Sequence, residues 1–426
     1  MQKILISISF IALLAVQVRG AEFNQYFENA TLRIDYIHSG NADSHSYAID
    51  ELLREPYWGG SKTNLIDTLR YGNYFFEVFD DSSGRLIYSR GYSTLFREWQ
   101  TTNEAKRTSK SFPETIVMPF PKNDVNVIFY SRNGQNQLKE EWRYEVDADS
   151  YFIKPERRLA FPYFDVLQNG NPANHVDIVI LPEGYTQNEL GQFIDDCREF
   201  ANSLFDYEPY KSYKNKFNIK GILAPSENSG SDIPAASQWR KTILNTSFYT
   251  FNSERYLMTT DNKSVRDLAA NAPYDQIYIL VNTPKYGGGA IYNHYSVSVN
   301  SNELAAKIFL HEFGHGFAAL GDEYYTSSVA YNDFYPEGIE PWEPNLTTLT
   351  DFSGKWQHLI PDSIPVPTPN QKKYEGIPGV FEGGGYVDEG VYRPAYNCIM
   401  KDLRYPEFCL TCREAIEEMI LFYTTQ

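Results

Sequence analysis

The chain has 426 residues, 42% of them hydrophobic, and a formal charge of -17. That length calls for more than one core, and that composition for a globular protein rather than a disordered one. The negative balance argues against a nucleic-acid partner, which needs a basic face, and against docking on anionic lipid.

Residues 1–20, MQKILISISFIALLAVQVRG, read as a secretory signal peptide. Lys3 supplies a positive start, Ile4 to Val16 a short apolar run, and Gly20 and Ala21 small residues near the cut. The run is too short to span a membrane, and no other stretch of about eighteen apolar residues follows. A secreted or periplasmic chain is expected, with no membrane span.

Residues 22–147 predict an all-β sandwich. In ATLRIDYI, Leu32, Ile34 and Tyr36 alternate onto one face. YFFEVFDDSSGRLIYSRGY is a hairpin around Asp80 to Gly84, and DVNVIFYSRNGQNQLKEEWRYEV repeats the pattern around Asn133-Gly134. The 33 Tyr and 27 Phe suit half-buried strands. No catalytic spacing occurs in this part, whose expected role is support or substrate docking. The alternation fades between Asp147 and Phe164, where a domain boundary is expected.

The remainder, residues 160–426, predicts an α/β domain. Ile178 to Leu181 form a continuous apolar run, as in a buried strand. QNELGQFIDDCREFANSLFD has helical periodicity, with Leu190, Phe193, Cys197, Phe200 and Leu204 on one side. YDQIYILVNT is another buried strand, and YGGGAIYN and HYSVSVNS are two neighbours joined by a short turn.

The chemistry concentrates in FLHEFGHGFAALGDEYY, residues 309–325. A helix is expected from the NSNELAAK stretch, with Asn300 and Glu303 as a capping box or Asn302 as a rival cap, to a stop at Gly321. Leu304, Ile308, His311 and His315 share one face, and Phe309, Phe313, Phe317 and Leu320 another. Residues four apart stack, so His311 and His315 can grip one ion. Glu312, about 100° round the helix, can reach a water beside that ion without ligating it. This HExxH arrangement implies one Zn2+ per chain, with Glu312 as general base. A straight helix would carry Asp322 about 10 Å past His315, so the chain must turn back at Gly321 for a third ligand. Asp322 is the first candidate. Glu323 is the alternative ligand, or a residue that orients a histidine.

Four cysteines occur, Cys197, Cys398, Cys409 and Cys412. Export favours a disulfide among the last three. Zinc is disfavoured because CLTC has no second CxxC to complete four ligands.

HEFGHGFAALGDEY, with EPNLTT, FEGGGYVDEGVYRPAYNCIM and FCLTC downstream, resembles the IgA-peptidase family of bacterial zinc metallopeptidases, and the β-rich segment is similar to that family's N-terminal domain. The resemblance implies a metzincin-like α/β catalytic domain with a central sheet, an active-site helix and a methionine turn at Met400. It implies His311, His315 and Asp322 as ligands and Glu312 as base. Here Ala318 and Gly321 stand where metzincins have a glycine and the third ligand, so Asp322 and Glu323 both stay open.

Gly288, Gly289 and Tyr292 in YGGGAIY are candidates for pairing with an extended substrate backbone. Tyr392 and Arg393 are candidate donors to a developing oxyanion, or structural residues. His294 and His358 could approach the cleft, but lone histidines are usually packing or surface. The function these features predict is a secreted zinc endopeptidase acting on protein or peptide substrates, host proteins among the candidates. The alternative is a non-catalytic protein that binds host protein or glycan and carries a structural metal.

Overall fold

The computed structural model describes residues 22–155, 159–325, 335–336 and 338–425. The expected signal at 1–20 lies outside them. A single turn, α1 (Phe23–Tyr26), leads into β1 (Phe27–Gly40), β2 (His45–Glu55), β3 (Tyr74–Asp80), β4 (Leu86–Tyr92), the short helix α2 (Leu95–Gln100), β5 (Lys110–Pro121), β6 (Val125–Arg132) and β7 (Leu138–Val146). The strands form two antiparallel sheets, in the orders β2-β1-β5 and β4-β3-β6-β7. Period-two alternation turns Leu32, Ile34, Tyr36, Ile116 and Met118 of one sheet toward Phe76, Val78, Val127 and Phe129 of the other, giving one shared core.

The alternation of β1 does not mark a wet face. Thr31, Arg33 and Asp35 are buried as well. Arg33 forks Asp35 at 2.8 and 2.6 Å and reaches Asp267 Oδ1 at 2.6 Å, on helix α4 (Asn262–Ala269). The α/β part covers that face, and burial is tolerated because the charges are paired in bidentate geometry.

The second part is built on a six-stranded mixed sheet of β8 (Tyr163–Leu167), β9 (Val176–Glu183), β10 (Phe217–Ile222), β11 (Gln276–Val281), β12 (Gly288–Ile291) and β13 (Tyr295–Val299), in the order β12-β13-β11-β9-β10-β8. The inner four strands are parallel, and β8 and β12 close the edges antiparallel. Both faces are covered, which is why β9 reads as a continuous apolar run. Ile178 and Ile180 face α3 (Leu190–Leu204), α5 (Ala305–Ala318) and α6 (Leu410–Thr424), whereas Val179 and Leu181 face α4 and α2. A hairpin of β14 (Phe381–Gly384) and β15 (Val387–Arg393) precedes α6. Among the described residues, no helix is long and apolar enough to cross a membrane.

Helix α5 departs from expectation at both ends. It starts at Ala305, and Asn302 Oδ1 accepts from Leu304 N at 3.0 Å just before it. Asn300 cannot cap, because its Oδ1 accepts from Thr283 N and its Nδ2 donates to Asp196 and Asn282. The helix stops at Ala319, which takes the left-handed conformation at φ 59°, while Leu320 N donates back to Gly314 O. Gly321 has a different task. A Cβ there would lie 2.5 Å from Leu346 Cδ1. Its N–H and C=O are clamped by the Asn345 amide at 2.7 and 2.9 Å.

Candidate metal centre and active-site cleft

Stopping α5 one turn after His315 and clamping Gly321 folds the chain back on the helix. The result is a cluster of three ligand atoms. His311 Nε2 and His315 Nε2 lie 3.1 Å apart, and Asp322 Oδ1 lies 3.0 and 3.3 Å from them. Three corners of a tetrahedron around zinc, with bonds of about 2.0–2.1 Å, are about 3.3 Å apart.

The hydrogen bonds around the cluster say what it can hold. His311 Nδ1 faces Ile399 O at 3.3 Å and His315 Nδ1 faces Leu320 O at 2.5 Å. A carbonyl only accepts, so each Nδ1 carries the proton and each Nε2 presents a lone pair. Tyr386 Oη donates to Asp322 Oδ2 at 2.5 Å, while Asp322 Oδ1 is buried with no hydrogen-bond donor. Three electron pairs therefore converge on one point, an arrangement that a cation relieves. Without an ion, a proton takes the same role. Burial pushes the His315 imidazole down, but the Asp322 carboxylate outweighs it and raises it to about 9. Burial likewise pushes Asp322 up, and His315 with His311 holds it well below the usual carboxylate range. The donor set of two imidazoles and a carboxylate suits zinc.

Glu312 stands beside these residues on the same cleft wall, half-buried. Burial raises its carboxyl above the ordinary value, against the pull of His311 and His315. Gly288 of β12 backs it closely, since a Cβ there would lie 2.9 Å from Glu312 Oε1 and 2.8 Å from Ile308 Cγ2. From below, Met400 packs on the helix, and a methyl at Gly314 would sit 3.1 Å from its sulfur. Met400 is fully buried in the turn 398–401, whose Ile399 carbonyl holds His311. The cleft that His311, Glu312, His315 and Asp322 line has a volume of about 560 Å³.

The family model described as IgA Peptidase M64 matches residues 164–377 and 370–420, and that described as Peptidase M64 N-terminus matches residues 22–143. The chain belongs to the IgA peptidase M64 family. No curated protein matches it. Membership in a peptidase family makes protein chains the class of substrate.

The other predicted residues divide. Glu323 is not brought to the histidines. It points the opposite way, fully buried, with Oε1 accepting from Asn345 Nδ2 at 3.0 Å. Gly288, Gly289 and Tyr292 line the cleft. Gly289 is packed under Met258 and Tyr256, and Tyr292 is wedged between Tyr71 and Trp342. The backbone of Gly288 is already paired, its N–H to Arg255 O and its C=O to Leu257 N, so the substrate-pairing edge expected there is occupied. Tyr392 lies away from the cleft, bonded to Thr347 through both backbone groups and packed with Phe352 and Trp356. Arg393 is fully buried and donates to Glu382 O and Gly383 O, a structural role. His294 is buried against Arg266, and His358 is exposed and paired with Glu414. The expected disulfide is absent. All four cysteines are free, with Cys398 Sγ and Cys412 Sγ 3.8 Å apart.

Sequence reasoning missed several cleft residues. Tyr386 and Arg255 carry no spacing signal. Tyr324, whose hydroxyl accepts from Arg255 Nη2 at 3.0 Å, directly follows the GDE turn. Asn345, which sets the turn-back, sits in EPNLTT. Glu98 comes from α2 of the β part and also lines the cleft. Burial raises it to about 8, against the hydrogen bond from Tyr256 and the charge of His315.

Proposed function

We propose that the protein is an exported, zinc-dependent endopeptidase with Glu312 as its general base. The observation that carries this reading is the convergence of His311 Nε2, His315 Nε2 and Asp322 Oδ1 within 3.3 Å, with Glu312 beside them in an open cleft. A bound zinc would supply Lewis acidity to a water and to the scissile carbonyl. Glu312 takes the proton from the attacking water and returns it to the leaving amine, a task suited to a carboxyl that burial raises above its ordinary value. Tyr386 and the two backbone carbonyls hold the three ligand side chains in place. Ala290, two residues along the edge strand from Gly288, faces outward like it. Among the described residues its outward groups have no backbone partner, so an extended substrate would pair there. Host proteins are the class to screen first. Export rests on the N-terminal Lys3 to Ala21 pattern.

The rival reading, a purely structural metal in a binding protein, needs a fourth protein ligand in the cleft. Glu323 was the candidate for it and faces elsewhere. The test is zinc content beside cleavage of a peptide library. Glu312→Ala should keep the wild-type zinc and lose about 10²–10⁴-fold or more in kcat. His311→Ala should lose one equivalent of zinc. Wild-type turnover in the first variant, or wild-type zinc in the second, would sink the proposal.

A further inference from the structure

We propose that Glu323, Cys398, Cys409 and Cys412 form a second metal centre, a closed four-ligand zinc site that braces the catalytic cleft. Their ligand atoms all lie within 4.8 Å of one another. The 3.8 Å between Cys398 Sγ and Cys412 Sγ is too long for a disulfide, and it is the edge of a tetrahedron built with zinc–sulfur bonds of about 2.3 Å. Glu323 Oε1 lies 3.1 Å from Cys412 Sγ, completing an S3O donor set. Glu323 Oε2 is fully buried and has no hydrogen-bond partner, an expensive state for a carboxylate that has nothing to bind.

Two of the sulfurs sit at the N-terminus of a helix. Cys409 is the N-cap of α6 and Cys412 lies in its first turn, where the helix dipole stabilises negative sulfur. Cys409 N–H points at Cys398 Sγ at 3.3 Å. Three thiolates and a carboxylate leave the site negative even around a divalent ion, and the buried Arg393 guanidinium is close enough to act on the charge of Glu323. A disulfide explains the cluster poorly. It would use two of three sulfurs, strand the third, and leave Glu323 Oε2 buried beside it without a partner.

The ligands come from three separate segments, and the two that hold Glu323 and Cys398 line the cleft through their neighbours Asp322, Tyr324 and Ile399. Glu323 follows Asp322 directly, and its N–H donates to Met400 O at 2.9 Å. Cys398 precedes Ile399, whose carbonyl orients His311. Cys409 and Cys412 anchor both to α6. An ion here would lock the turn-back that presents Asp322. The inference stands independently of the proposed reaction, because sulfur ligation is specific to this cluster.

The test uses the full chain purified with zinc present. Zinc-edge X-ray absorption on the wild type should show a sulfur shell at about 2.3 Å, which the cleft's nitrogen and oxygen donors cannot produce. Elemental analysis should find two zinc per chain, falling to one in His311→Ala with the sulfur shell intact. Cys412→Ser should lose the sulfur-ligated ion. Nitrogen and oxygen scattering alone, or a denatured mass showing a bridge among Cys398, Cys409 and Cys412, would overturn the proposal without touching the cleft assignment.

Discussion

Asp322 and Glu323 are neighbours in the chain, yet their carboxylates serve different clusters. Asp322 turns to two imidazoles on an open cleft, and Tyr386 holds its second oxygen. Glu323 turns inward to three sulfurs in a closed pocket, and Asn345 holds one oxygen. Successive side chains on an extended segment point to opposite sides, so one short stretch can serve both. The open cluster leaves a side for substrate and water. The closed one offers four ligand atoms to one ion, the coordination of a structural rather than a catalytic site.

Exchanging the two carboxylates for alanine should separate those roles most sharply. Asp322→Ala should abolish peptide cleavage and cleft zinc while the melting temperature stays near wild type. Glu323→Ala should lower the melting temperature by more than about 4 °C, the shift that about 1–2 kcal/mol makes in a domain of this size. Calorimetry and zinc analysis on both variants check this, and equal thermal losses would erase the distinction. Tyr386→Phe removes the bond to Asp322 Oδ2, and should cost about 10–100-fold in zinc affinity or activity. A competition titration with a chelator reads it. Gly288→Ala pushes against Glu312 and Ile308, and should lower kcat by up to about 10²-fold with zinc content unchanged. Unaltered kcat would mean that the edge strand does not position the base. The smallest effect is expected at Tyr392→Phe, which should leave kcat as it is, because Tyr392 lies outside the cleft.

Legibility in the sequence followed the range of the interactions. The strands around the Asp80–Gly84 turn, the buried strand at Ile178–Leu181 and the helix through Phe193 and Phe200 were readable because their burial patterns repeat within a few residues. The strands β2 and β10 and the helix α2 were not read. The burial of the polar face of β1 was not readable, because the cover over it is α4, more than two hundred residues away in sequence. The disulfide expectation failed for a similar reason. Counting CxxC pairs could not see that the fourth ligand of the cysteine cluster is a glutamate that arrives from the end of the active-site helix.

The sequence by itself determined the local chemistry. Spacing of four on a helix stacks His311 over His315, and that geometry is a property of the helix alone. It also placed Glu312 at their rim and required a turn before any acid could return. Only the tertiary structure decided which acid returned, where Tyr392 and Gly288 ended up, and that Glu98 of the β part reaches the cleft. Those outcomes depend on Asn345, Leu346 and the 398–401 turn meeting Gly321 and Glu323 in space. No periodicity encodes such contacts, because they join segments whose separation along the chain has no fixed geometry until the core has formed.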